Sequence, residues 1–159
     1  MAVQEGDRAP GFVLPAAPGE EVDVGELFGR ERVVLVFFPL AFSPVCTREM
    51  KAFSDRWDRF TELDVRIFGV SVDSPFVNAK FREEEDIPFP ILSDFNREVA
   101  SAWGVLHDDL LGLEGVARRS VFVVGGDGIV SYRWVSEDPA VEPDYERVRA
   151  AVEAAPVAA

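Results

Sequence analysis

The sequence predicts an α/β domain with a mixed central sheet and helices on both faces. Residues 33–38 form a continuous apolar run of β-branched and aromatic side chains, as in a strand covered on both sides, and residues 65–72 predict a second strand. Two later runs, residues 120–124 and 129–134, flank a glycine-rich turn and predict a β-hairpin. At 159 residues, of which 48% are hydrophobic, the chain has the size and composition of one domain with one packed core.

The first half of the chain alternates strands and helices. Short strands are expected near residues 12–14 and 21–24, before the buried strand 33–38. Pro39 ends that strand, and Ser43 followed by Pro44 predicts a helix that begins there and runs to about residue 63. Its apolar residues recur at steps of four and three and form one helical stripe: Cys46, Met50, Phe53, Trp57 and Phe60.

The second half continues the alternation and ends in the hairpin and a helix. Ser74 and Pro75 repeat the serine–proline start, for a helix through about residue 85. We expect a short strand at 91–92, a short helix at 98–103, a last helix around 145–152 and a frayed tail at 154–159. Strand, helix, strand, helix, hairpin and helix, with a right-handed crossover between the first two long strands, is the layout of a thioredoxin-like fold.

Composition narrows the possible functions. The formal net charge of −13 argues against nucleic-acid and anionic-membrane partners. The N-terminal residues 1–7 lack a basic start and an apolar stretch, so a cytoplasmic location is expected. The single cysteine, Cys46, excludes an intramolecular disulfide and a CxxC motif within these 159 residues.

Cys46 combines three features of a reactive thiol. It follows a buried strand by a short loop, so it lies at the carboxyl end of the sheet, where open α/β folds place their ligands. It also falls in the first turn of a helix, whose free N–H groups and dipole favour an anion such as a thiolate. A cysteine here could instead be an inert apolar residue of the buried stripe.

The loop before Cys46 decides between these alternatives. Residues 39–46, PLAFSPVC, resemble the peroxiredoxin pattern P-x-x-x-[TS]-x-x-C, and residues 47–50 resemble its usual continuation. Arg119 begins a segment similar to the Arg-x-x-Phe strand of that family, and residues 89–94 resemble another family segment. Within the family, residues 34–42 look most like the AhpE type, which commonly works with one cysteine.

The resemblance implies roles for seven residues. Cys46 would be the peroxidatic nucleophile, and Arg119, rather than its neighbour Arg118, would hold the thiolate and the peroxide. Ser43 would hydrogen-bond the substrate oxygen, the alternative being a plain helix N-cap, and Pro39 would shield the thiolate. The remaining three are expected at the substrate: Val45 through its N–H, Glu49 as a group that orients the arginine, and Phe42.

The implied activity is thiol-dependent reduction of hydrogen peroxide and organic hydroperoxides through a Cys46 sulfenic acid. With no second cysteine, an external thiol or a thioredoxin- or glutaredoxin-like reductant would recycle the enzyme. No metal, haem or flavin is required, and the resemblance implies a homodimer, with Phe42 and the loop around His107 as contacts.

Three other functions stay open on the residues alone. A thioredoxin-fold disulfide reductase would normally carry CxxC, which is missing here. A peroxide sensor that relays oxidation to a partner would share the same site. A Cys–His hydrolase would require the only histidine, His107, to reach Cys46.

Overall fold

The computed structural model of the chain describes residues 2–157. Nine strands and five α-helices make up this part of the chain. In chain order they are β1 (Val13–Ala17), β2 (Glu20–Asp23), β3 (Arg32–Phe37), α1 (Pro44–Asp55), α2 (Trp57–Thr61), β4 (Val65–Ser71), α3 (Pro75–Glu84), β5 (Ile91–Ser93), α4 (Glu98–Trp103), β6 (Leu106–His107), β7 (Val116–Ala117), β8 (Ser120–Val124), β9 (Val130–Val135) and α5 (Tyr145–Ala154).

Five strands form the predicted mixed central sheet, in the order β5-β4-β3-β8-β9. The neighbours β3, β4 and β5 are parallel, whereas β8 runs antiparallel to β3 and pairs with β9 as the predicted hairpin. The start of β8 therefore lies beside the carboxyl end of β3, with Ser120 opposite Phe37. This antiparallel pairing brings residues near 119 to the loop that follows β3.

The central strand β3 is buried along its whole length because helices cover both of its faces. Its odd-numbered side chains, such as Leu35 and Phe37, pack in one cluster with Trp103 of α4. Its even-numbered side chains pack in the other cluster with α1 and α5. The alternation follows from the two-residue period of a strand, and the second cluster contains Cys46.

The predicted helix from 44 to about 63 is divided into α1 and α2. Arg56, between them, has φ −102° and ψ 9°, and its N–H donates to the carbonyls of Phe53 and Ser54 instead of continuing the α-helical pattern. The Arg56 guanidinium donates to the Ala52 carbonyl and stacks on the Tyr145 ring at 4.7 Å. These contacts from α1 and α5 hold Arg56 at the break between the two helices.

The C-terminal segment is more ordered than the predicted frayed tail. Ala154 ends α5, Ala155 is buried in the core, and the Pro156 carbonyl accepts a hydrogen bond from the Gly126 N–H at 2.6 Å. Packing against the hairpin turn is the physical reason for the difference, and residues 158–159 of the predicted tail lie outside the described residues.

The pair β6–β7 did not follow from the sequence pattern. The two short strands pair antiparallel and close a loop over residues 108–115. No helix in residues 2–157 has the length and hydropathy needed to cross a bilayer.

Candidate active site

Cys46 lies in the first turn of α1, at the carboxyl end of β3. Ser43 is the N-cap residue with extended backbone, and Pro44 is the first helical residue, as the serine–proline pair predicts. The Thr47 N–H closes the first helical bond to the Ser43 carbonyl at 2.9 Å, whereas the N–H groups of Val45 and Cys46 bind no partner within residues 2–157. They are free to bind a ligand oxygen, in a place where the helix dipole favours negative charge.

Arg119 reaches Cys46 from the strand beside it. Its Nη2 donates a hydrogen bond to Cys46 Sγ at 3.2 Å, and both side chains are almost wholly buried. A buried guanidinium on the sulfur stabilises the thiolate by a charge-assisted hydrogen bond. The alternative arginine, Arg118, points its Nε at the Leu106 carbonyl and does not line the cavity at Cys46.

Three partners fix the orientation of the Arg119 guanidinium. Nη1 donates to Glu49 Oε1 at 2.7 Å and Nε donates to the Pro139 carbonyl at 3.0 Å, while Nη2 holds the sulfur. Because a guanidinium has five N–H groups in a rigid fork, one N–H remains on each of Nη1 and Nη2 for a substrate. The arrangement can therefore hold a thiolate and a peroxide oxygen at the same time.

Glu49 does not line the cavity, so the prediction that it contacts substrate is wrong, while the prediction that it could orient Arg119 agrees with the 2.7 Å hydrogen bond from Arg119 Nη1 to Glu49 Oε1. Glu49 is completely buried, and Oε2 has no hydrogen-bond partner within the described residues. Burial raises the pKa of Glu49 to about 8, against the opposing effect of the Arg119 charge. For Arg119, burial alone would lower the pKa, but the negative charges of Glu49 and Cys46 outweigh it and raise the pKa.

A cavity of about 260 Å³ opens onto the sulfur. That volume is slightly below the range of drug-sized pockets and suits a small ligand. Pro39, Ser43 and Val45 line it as predicted, together with Cys46 and Arg119. The other lining residues, which the sequence did not single out, are Leu40, Pro44, Leu110, Leu111, Leu113, Pro139 and Ala140.

Ser43 occupies the N-cap position without capping the helix through its side chain. Its hydroxyl instead donates to the Leu40 carbonyl at 2.8 Å. With its hydrogen engaged there, the Ser43 oxygen still has lone pairs with which to accept a hydrogen bond in the cavity it lines. The geometry therefore favours the substrate role over the N-cap role.

Two predicted contacts lie away from the cavity. Phe42 has a φ of 68°, and this left-handed conformation turns its ring onto Phe81 of α3 at a centroid distance of 5.1 Å. Phe42 does not line the cavity, so its predicted role at the substrate is wrong. His107 pairs with Val116 in β6–β7 and also stays outside the cavity, which leaves a Cys–His hydrolase without its base.

Apart from Leu40 and Pro44, which lie beside the predicted site residues, the missed cavity residues come from two loops distant in sequence. Leu110 and Leu113 bridge each other within the loop that β6 and β7 close. The apolar letters LLGL, set between acidic residues, were a usable signal, since exposed leucines in a loop need a reason. Pro139 and Ala140 carried no such signal. The described residues contain no group of three His, Cys, Asp or Glu side chains placed to hold a metal.

Known proteins match this chain over most of its length. The model of the AhpC/TSA family matches residues 5–133. A provisionally named peroxiredoxin of Mycobacterium tuberculosis is 40% identical over 126 residues, which cover 77% of this chain and 79% of that protein. A chloroplastic 2-cysteine peroxiredoxin of Chattonella marina is 33% identical, with 86% of this chain and 72% of that protein covered.

Among solved structures, peroxidoxin BcpB of Mycobacterium tuberculosis superposes with a TM-score of 0.84 at 32% identity, covering 96% of this chain and 97% of that one. The predicted thioredoxin-like fold, in its peroxiredoxin form, is thereby confirmed.

Proposed function

The chain belongs to the AhpC/TSA family of peroxiredoxins, and from that premise we propose that it is a one-cysteine thiol peroxidase with Cys46 as its nucleophile. The Cys46 thiolate attacks the outer oxygen of a hydroperoxide, an S–O bond forms and the O–O bond breaks. The sulfur is oxidised to sulfenic acid, and the leaving oxygen takes a proton and departs as water or an alcohol.

The contact between Arg119 and Cys46 carries this proposal. A guanidinium 3.2 Å from the sulfur, held by Glu49 and Pro139, faces a cavity large enough for a peroxide. Its remaining N–H groups can bind the leaving oxygen as negative charge develops there. Ser43 and the N–H groups of Val45 and Cys46 offer complementary contacts to the same two oxygens.

The one-cysteine mechanism rests on the sequence. Because these 159 residues contain no second cysteine, the sulfenic acid has no internal thiol with which to form a disulfide. We propose that an external thiol, free or on a thioredoxin- or glutaredoxin-like protein, reduces it. The assignment to the AhpE-like branch stays a prediction, since named relatives include Bcp proteins.

Stopped-flow oxidation of the reduced protein by hydrogen peroxide tests the proposal. We expect rapid, stoichiometric labelling of Cys46 by a sulfenic-acid probe and none in Cys46→Ser. Arg119→Ala should slow oxidation about 100-fold, as loss of a buried charge-stabilising donor does, and Arg118→Ala should leave the rate unchanged as the matched control. A wild-type rate no higher than that of free cysteine would refute the proposal.

We also propose a homodimer and a cytoplasmic location, the latter on the sequence alone. Three large apolar side chains on or next to the cavity rim are exposed: Phe42, Leu111 and Leu113, with Leu111 96% exposed. Contact with a second copy would remove this surface from water. A monomer mass at every protein concentration in light scattering would exclude the dimer.

A further inference from the structure

Asp73 lies at the edge of the sheet that carries the active site, although it is 27 residues from Cys46. It follows β4, which runs parallel to β3, with Val70 opposite Phe37. The carboxyl ends of both strands therefore meet at one edge, and Asp73 emerges beside residues 39–43, which we call the catalytic loop.

Asp73 binds the backbone of the catalytic loop. Its Oδ2 accepts the Ala41 N–H at 2.8 Å. Apart from bonds within the loop and to α1, this is the hydrogen bond that ties residues 39–43 to the rest of the fold within the described chain. The loop supplies Pro39, Leu40 and Ser43 to the cavity wall, so its placement sets the distance of these groups from the sulfur.

Buried polar groups from three elements hold Asp73 in place, directly or through Ser71. Ser71 of β4 donates its hydroxyl to Asp73 Oδ2 at 2.7 Å and accepts from Asn78 of α3 at 3.1 Å. Ser93 of β5 donates to the Asp73 carbonyl at 2.6 Å. Ser71, Asn78 and Ser93 are all buried, so Asp73 has little freedom to turn away from Ala41.

The loop needs such an anchor because of its own conformation. Phe42, next to Ala41, adopts a positive φ of 68°, which residues other than glycine rarely adopt without support from their surroundings. On one side the Phe42 ring packs on Phe81, and on the other Asp73 holds the preceding N–H. Loss of that bond would leave the loop free to relax from this conformation.

We propose that Asp73 is a positioning residue of the peroxidase, which acts by fixing the Ala41 N–H and thereby places Ser43 and Pro39 against the peroxide at Cys46. This inference rests on the proposed function, because it assumes that Cys46 reacts with a peroxide held in the cavity. Asp73 does not line the cavity and contacts no reacting atom.

The test compares two reactions of the same thiol in the full-length reduced protein. Oxidation by hydrogen peroxide needs an oriented substrate, whereas alkylation by iodoacetamide needs only access to the sulfur. Asp73→Ala removes the acceptor of the Ala41 N–H. If the alanine variant does not fold, Asp73→Ser replaces it in the test, because the serine oxygen is one bond closer to the backbone than the aspartate oxygens. We expect at least about a tenfold slower oxidation, because small misplacements of reacting groups are costly, with alkylation unchanged or faster.

Two further variants separate positioning from stability. Asp73→Asn keeps an oxygen acceptor and should restore most of the oxidation rate. Asp127→Ala removes an aspartate that accepts the Ile129 N–H at 3.1 Å in the hairpin turn, and should affect only thermal stability.

The outcomes are distinguishable. Oxidation of the folded Asp73 variants at the wild-type rate, or an equal fall in oxidation and alkylation, would overturn the inference and leave the proposed function standing. A wild-type thiol no faster than free cysteine would instead overturn the proposed function itself.

Discussion

Replacing Glu49 by glutamine is expected to remove a pH dependence from the stability of the fold. Glu49 is fully buried, and its pKa is about 8 in the folded chain against an ordinary value of 4.5. Between pH 4.5 and about pH 8, the Glu49 side chain is ionised in the unfolded chain but protonated in the folded chain. The stability that protonated Glu49 contributes is therefore complete below about pH 4.5 and is lost as the pH rises to about 8.

The size of the effect follows from the two pKa values. Each unit of difference corresponds to about 1.4 kcal/mol, so the whole interval amounts to at most about 5 kcal/mol. Between about pH 6 and pH 8 the expected loss is about 2 kcal/mol, a measurable part of a typical unfolding free energy of about 5–15 kcal/mol.

Urea unfolding followed by tryptophan fluorescence measures this difference, since Trp103 is completely buried. Both proteins should carry Cys46→Ser, which removes the sulfur that binds Arg119 and prevents oxidation during the experiment. Glu153→Gln, at an exposed glutamate of α5, is the matched control. If Glu49→Gln and its parent differ by the same unfolding free energy at both pH values, Glu49 is ionised throughout and the charge of Arg119 outweighs burial.

Three other changes have separate readouts. Ser43→Ala should slow peroxide oxidation about tenfold without affecting alkylation, since it removes only a hydrogen-bonding oxygen from the cavity; equal rates with wild type in stopped flow would contradict this. Trp103→Ala should lower the free energy of unfolding by about 3–5 kcal/mol in urea, because it empties the centre of one core cluster. Arg32→Met should cost about 2 kcal/mol, since the buried Arg32 donates to the carbonyls of Leu63 and Val152. The Arg32→Met variant should oxidise at the wild-type rate, because Arg32 is remote from the cavity.

The elements that the sequence predicts well are those whose signals are local. The buried strand β3 and the start of α1 follow from six consecutive apolar residues, then Pro39, then Ser43 and Pro44. The short helix Glu98–Trp103 has its predicted bounds. Cys46 and Arg119 were also predictable, one from its place after a strand and both from their resemblance to family segments.

What the sequence does not predict depends on contacts between distant segments or on one backbone angle. The interaction of Asp73 with Ala41 joins two loops through sheet order, and no local pattern marks it. The direction of Phe42 depends on a φ of 68° that its neighbours impose, and the break at Arg56 depends on its contact with Tyr145 of α5. Sequence periodicity indicates which face of an element is apolar. It does not indicate which residues from distant segments contact each other.

The Arg119 guanidinium lies between the Glu49 carboxyl group and the Cys46 sulfur, and burial raises the pKa of Glu49. Glu49 has no exposed surface, no partner on Oε2 and a pKa raised by burial to about 8, so near neutral pH it is largely uncharged. A neutral Glu49 can still accept from Arg119 through Oε1 and hold the guanidinium in place without neutralising it. The Cys46 sulfur also binds Arg119 and, unlike Glu49, it lines the cavity, so it can react there beside the positive charge of Arg119. A fully ionised Glu49 would compete with the thiolate for that charge, so its deep burial favours reaction at Cys46 as well as the position of Arg119.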